Sequence, residues 1–235
     1  MNKKYKNIKI NSLDSLHNIK HNIMNHIEHI TYINLDSRPD RLAEIQAELQ
    51  KISGNDADIV AKSDRFAAFH TPSSGIVGCG YSHLAVLKQA RDRGYANVLI
   101  LEDDFEFLVS RAYLDAALKT FFEDIDAEKC RPDVCMLSYI IQRDEPIANK
   151  PYIRRVLDGQ TASGYIVFAH YYQKLIDLYE WAIPLLEQTN EHWIYANDHV
   201  WKRLQIVDNW VYFTRRIGRQ RDGYSDNKMC FMVGE

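Results

Sequence analysis

Three consecutive acids, Glu102, Asp103 and Asp104, directly follow the apolar run NVLIL at 97–101. Such a run reads as a strand covered on both faces, and in an open α/β sheet ligands bind beyond the carboxyl ends of the strands. Adjacent carboxylates repel one another unless a cation or basic groups compensate, and clustered oxygen ligands suit Mg2+ or Mn2+. A cation held there would bridge the two phosphates of a nucleotide and neutralise the charge that develops as they leave. Taken alone, the triplet reads more readily as an acidic turn after a core strand.

Two further groups of residues carry chemistry. Asn34-Leu35-Asp36 ends a predicted strand at 29–35 (HITYINL) and precedes a helix whose amide donors face the same edge, with Arg38 and Arg41 close by. A helix N-terminus with arginines suits a nucleotide diphosphate; the same residues also describe a capped surface helix. The stretch GIVGCGYSH at 75–83 places three glycines within six positions, which permits close approach of backbone to a ligand or another element. Ser82 and His83 then open a helix predicted over 81–93. Cys79 has no base beside it in sequence and reads as a buried small hydrophobe. His17 and His21 are spaced like ligands on a helix, but no carboxylate or cysteine completes a site.

The elements that must position these groups alternate. The first helix carries Leu42, Ile45, Leu49 and Ile52 on one face, with Ser37 and Asp40 as a capping box, Pro39 in the first turn and Gly54 as its stop. A polar loop is expected up to Gly80. Further strands are predicted at 134–140, 164–169 and 210–213, and helices at 113–124, 171–186 and 197–204. Alternating strands and helices imply an α/β sandwich with a mostly parallel sheet. Within 235 residues no Pro/Gly/Ser-rich linker interrupts the stretch from about 31 to 230, which predicts one domain over 31–235 behind a basic arm at 1–30. The arm holds five lysines against two acids, and Ile19, Ile23, Ile27 and Ile30 at helical spacing. It reads as a short amphipathic helix docked on the body, or as a partner or membrane-surface arm.

A net charge of −3 argues, weakly, against a general nucleic-acid binder. Cys79, Cys130, Cys135 and Cys230 form no CxxC pair and match no zinc spacing; without a signal peptide or a glycosylation sequon they read as reduced thiols of a cytoplasmic protein. No apolar run approaches the roughly 20 residues that span a bilayer.

The segments YINLDSRPDRLAEIQAEL (32–49), GIVGCGYSHLAVLKQA (75–90) and NVLILEDDFEF (97–107) resemble, in order and spacing, glycosyltransferase family 25. That family includes bacterial lipopolysaccharide galactosyltransferases and collagen hydroxylysine galactosyltransferases. TASGYIVFAHYYQKLI (161–176), YANDHVWKRL (195–204) and Tyr224-Ser225-Asp226 are similar to its later segments. The segment 59–74 departs from the family's Asp-Gly-containing stretch, and the arm has no counterpart.

The resemblance implies a GT-A-type, Rossmann-like α/β/α fold, a UDP-sugar donor (usually UDP-galactose), a Mn2+ or Mg2+ ion, and transfer with inversion to a glycan or protein hydroxyl. Carried over by position, Asn34, Leu35, Arg38, Arg41, Ser82 and Asp103 hold the nucleotide, and Glu102, Asp103 and Asp104 hold the metal. Direct displacement needs a base for the acceptor hydroxyl proton. Asp198, at the start of the helix at 197–204, is the first candidate and Asp226 the second; an Asp at a helix start is also an ordinary cap. Thr161, Gly164 and Tyr165 would shape the acceptor wall. Trp193, Tyr195, Trp201 and Trp210 offer rigid faces for sugars, with core packing the expected role of at least half. Two other classes stand beside this reading. One is a catalytically silent nucleotide-sugar- or glycan-binding scaffold of the same fold. The other is a metal-dependent phosphoesterase, against which stands the scattered spacing of His70, His83, His170, His192 and His199.

Overall fold

The structure is a computed structural model and describes residues 26–53, 57–72, 74–225 and 230–232. The predicted helix through Ile19 and Ile23, the His17–His21 pair, Gly54 and Asp226 lie outside them. Third in the eight-stranded sheet is β3 (Asn97–Glu102), the NVLIL run plus the first acid. On one side it pairs in parallel with β1 (His29–Asn34), which pairs in parallel with β2 (Ser63–Ala67). On its other side lie, in order, β8 (Gly164–Phe168), β5 (Val134–Met136), β9 (Trp210–Phe213), β7 (Ile153–Gln160) and β6 (Ile140–Pro146). β8 runs antiparallel to both β3 and β5, and β7 antiparallel to both β9 and β6, so six of the eight strands share one direction.

Period-two alternation along the strands sorts their side chains to two faces. Val98 and Ile100 of β3, with Tyr165 and Val167 of β8, join the core under α3 (Gly75–Asp92) and α5 (Tyr172–Thr189). Leu99, Leu101, Ile166 and Phe168 join the opposite core, under α1 (Pro39–Ser53) and α4 (Arg111–Asp126). The result is the predicted α/β/α layering. The predicted apolar face of α1 holds: Ile45, Leu49 and Ile52 are buried and Leu42 partly so. The end of the basic arm is built into the body, because His29 and Ile30 already belong to β1 and Ile27 is fully buried.

Four expectations change. Helix α3 begins at Gly75, not Tyr81, which makes Gly78 and Gly80 interior positions. Gly is a poor helix former by about 1 kcal/mol, but packing overrides this: a Cβ on Gly78 would stand 2.3 Å from Phe69 O and 2.6 Å from Thr71 Oγ1. The polar loop expected before it contains α2 (Ala57–Ala61) and β2. The predicted strand at 134–140 ends at Met136, where Leu137 and Ser138 turn their amides to Gly164 O. The helix predicted at 197–204 is two short pieces, α7 (Asn197–Val200) and α8 (Lys202–Gln205). They meet at Trp201, whose buried indole Nε1 donates to Gly159 O at 3.0 Å and so ties the joint to β7.

Immediately beyond the acids, β4 (Phe105–Phe107) pairs antiparallel with β10 (Gly218–Gln220). The Phe105 ring fills the space between two glycines. A Cβ on Gly164 would lie 2.3 Å from its Cε2, and one on Gly218 2.1 Å from its Cζ. No helix among the described residues is long and apolar enough to cross a membrane.

Candidate active site

The end of β3 delivers Glu102, Asp103 and Asp104 to the floor of a cavity of about 410 Å3. Its walls come from the end of β1 (Ile33, Asn34, Leu35), Arg41 of α1, the segment 68–72, the first turns of α3, and Gln220. Asp103 and Asp104 are only 7% and 8% exposed, so their charges are compensated from within the protein. Arg41 Nη1 lies 3.1 Å from Asp103 Oδ1 and 3.3 Å from Asp104 Oδ2. Asn34 Nδ2 donates to Asp103 Oδ2 at 2.8 Å, and Gln220 Nε2 to Asp104 Oδ2 at 3.0 Å. The Arg221 amide fixes the backbone by donating to Asp104 O at 2.7 Å. Asp104 Oδ1 is buried and has no hydrogen-bond partner among the described residues. Burial, with the neighbouring Glu102 charge, pushes the Asp104 carboxyl up to about 7. Burial likewise raises Asp103, against the pull of Asn34 and Arg41.

Glu102 faces a different set. Its Oε1 is 3.0 Å from His83 Nε2 and accepts from the Cys79 thiol at 3.6 Å. Burial opposes its ionised form, but hydrogen bonding and charge from His83 outweigh that and hold its carboxyl below the usual range. His83 is fully buried, and its Nδ1 is 2.8 Å from Tyr165 Oη on β8. Cys79 and His83 sit one helical turn apart on α3, so they share the face turned to β3.

Of the residues singled out in sequence, Asn34, Leu35, Arg41, Ser82, Glu102, Asp103 and Asp104 line this one cavity. Arg38 does not; its guanidinium pairs with Asp40 at 2.8 Å, so Asp40 serves Arg38 where a capping box with Ser37 was expected. Ser82 is fully buried. Its Oγ donates to Gly78 O at 2.7 Å and accepts from Phe69 N at 2.9 Å, which fastens the 68–72 wall to α3. Asp198 does not line the cavity and joins the site through its neighbours. Asn197 Nδ2 lies 3.7 Å from Cys79 Sγ, and the Asp198 charge helps raise the thiol. Asp198 Oδ2 accepts from the Thr161 amide at 3.2 Å. Thr161 has φ +87°, a left-handed conformation costly for a β-branched residue and concentrated at functional sites. Trp201 and Trp210 are core residues, whereas Trp193 is exposed.

Sequence reasoning missed Gln220 and Arg65. Arg65 Nε donates to Asn34 Oδ1 at 3.0 Å, locking the amide that holds Asp103. Neither has a local signal: Gln220 is 116 residues from Asp104, and Arg65 lies on a strand whose sequence, SDRFA, is mostly polar.

No family model matches the chain. A human protein named inactive glycosyltransferase 25 family member 3 is 28% identical over 158 residues, covering 59% of this chain and 25% of that protein. The chain therefore spans about a quarter of the length of that relative. Among solved structures, A197 from STIV aligns at a TM-score of 0.47 with 10% identity, over 88% of this chain and 94% of its own. Mannose-1-phosphate geranyltransferase from Thermus thermophilus aligns at 0.47 with 10% identity, over 81% and 74%. UDP-glucose pyrophosphorylase complexed with UDP-glucose aligns at 0.45 with 9% identity, over 80% and 90%.

Proposed function

We infer that this chain, related to glycosyltransferase family 25, is a nucleotide-sugar glycosyltransferase that passes a hexose, galactose in the first instance, from a UDP-sugar to a hydroxyl of a glycan or protein. The observation that carries the reading is the buried Asp103–Asp104 pair on the cavity floor, with one Asp104 oxygen that has no partner among the described residues. An unpartnered buried carboxylate oxygen is costly unless a ligand completes it. The donor set fits a hard divalent cation: carboxylate oxygens, with Mn2+ or Mg2+ the chemical match. Asp103 and Asp104 would hold it, and when bound it would supply positive charge against the departing UDP diphosphate.

The chain's own residues do the rest. Arg41, already fixed on both carboxylates, adds cationic charge beside the diphosphate position. Asn34 and Leu35 form the nucleotide side of the cavity, and Phe69, half exposed on the opposing wall, offers a ring face to the base. Asp198 takes the acceptor hydroxyl proton on the carboxylate oxygen that does not receive the Thr161 amide. Attack from the face opposite the diphosphate then gives inversion.

A donor screen that measures UDP release with and without Mn2+ tests this reading, repeated with Asp104→Ala. Mn2+-dependent release should appear with one hexose and vanish in the variant; undiminished release by the variant would remove the metal assignment. A silent scaffold is the second reading, favoured by the word inactive in the relative's name. It predicts UDP binding with no Mn2+-dependent release across donors and acceptors.

A further inference from the structure

We propose that Cys79, His83 and Glu102 form a binding site for a thiophilic divalent cation, Zn2+ foremost, separate from the hard-cation pair Asp103–Asp104. One ligand atom from each of the three residues lies within 4.8 Å of the others. The closest approaches are 3.0 Å, from His83 Nε2 to Glu102 Oε1, and 3.6 Å, from Cys79 Sγ to the same oxygen. Tetrahedral zinc, with bonds of about 2.3 Å to sulfur and about 2.0 Å to nitrogen or oxygen, sets its ligands about 3.3–3.6 Å apart. Two of the three separations are already close to those values, and the third lies within 4.8 Å.

The surroundings are those of a ligand set. His83 Nδ1 is engaged by Tyr165 Oη at 2.8 Å, which fixes the ring and leaves Nε2 as the coordinating nitrogen. Asn197 Nδ2, 3.7 Å from Cys79 Sγ, can donate to a thiolate. All three residues line the cavity, which gives an ion access and leaves a fourth position open to water or a ligand oxygen. Ligand softness separates the two sites: thiolate and imidazole select zinc, and the oxygen-only pair beside them selects Mg2+ or Mn2+. Without a metal, burial and the nearby carboxylates keep the Cys79 thiol protonated and donating to Glu102. Coordination replaces that S–H with a sulfur–metal bond and releases the proton to solvent, so affinity rises with pH.

Titration of the full metal-free chain with Co2+, a spectroscopic substitute for Zn2+, tests the site without any activity measurement. The expected result is a near-ultraviolet thiolate-to-cobalt charge-transfer band with intense tetrahedral visible bands, saturating at about one equivalent and abolished by Zn2+. Cys79→Ser should lose the charge-transfer band, and His83→Gln should lose the tetrahedral pattern. Tyr165→Phe should keep both but bind about tenfold more weakly. Cys130→Ser, at a thiol elsewhere, should match the parent, which keeps the test readable if Cys79→Ser does not fold. No charge-transfer band in the folded parent at saturating Co2+, or a band that survives Cys79→Ser, overturns the proposal. Asp104→Asn should retain the cobalt spectrum, so failure here and failure of the transferase reading are distinguishable.

Discussion

Asp198 stands outside the cavity lining with one carboxylate oxygen held by the backbone of Thr161, a residue in a left-handed conformation. Asn would preserve the acceptor and delete only the basicity. We therefore expect Asp198→Asn to lower kcat about 10²- to 10⁴-fold while leaving the KM for the donor within about twofold. Steady-state kinetics against the parent decide it, and an undiminished kcat would move the base elsewhere. At this scale the sequence revealed chemistry where it is local. The acids adjoin an apolar run, so their place at a strand end was legible. Glu102's partners were not: Cys79 lies 23 residues away, and only the packing of α3 on β3 shows that it and His83 claim Glu102. The acidic triplet is thus one motif in sequence and two environments in space.

At the scale of elements, α3 carries the wall of the cavity on its first turns. Gly78 lets the backbone at Phe69 come within contact distance, and Ser82 then bonds that same residue's amide. Gly78→Ala should displace the 68–72 segment, costing about 1–3 kcal/mol of stability and weakening UDP binding as well. Gly80→Ala is the matched control, because its Cβ would meet only the Ile183 side chain, at 3.2 Å. Thermal unfolding and UDP titration of both proteins check this; equal behaviour would mean that the wall does not depend on Gly78. The misplaced helix start has the same origin. Three glycines read as a loop by propensity, whereas here all three are helical, and at Gly78 and Gly80 the missing side chain admits a neighbour. Short strands such as β4 and β10 offer too few residues for any periodicity to show.

For the whole molecule, the candidate site draws residues from β1, α1, β2, α3, β3 and β10, so occupation should stabilise the entire fold. UDP together with Mn2+ at about 100 times its dissociation constant should add about 2.7 kcal/mol, raising Tm by about 5–10 °C in a chain of this size. Either alone should give less, and a differential scanning measurement with both ligands showing no rise would contradict a shared site. The layered architecture was legible because helices and strands alternate along the chain. The antiparallel insertion of β8 and β7 was not, since hydrophobic patterning carries no record of strand direction.

The clamping of Phe105 bears on how the protein would look in a saturation mutagenesis experiment. Residues 164 and 218 sit in different strands, yet anything larger than hydrogen at either must evict the same benzyl group, the one bonded in sequence to Asp104. A survey scored by turnover would mark both among its most intolerant positions and invite their assignment to substrate contact. Their contribution is vacant space, and a survey scored by abundance should penalise them as heavily as one scored by product.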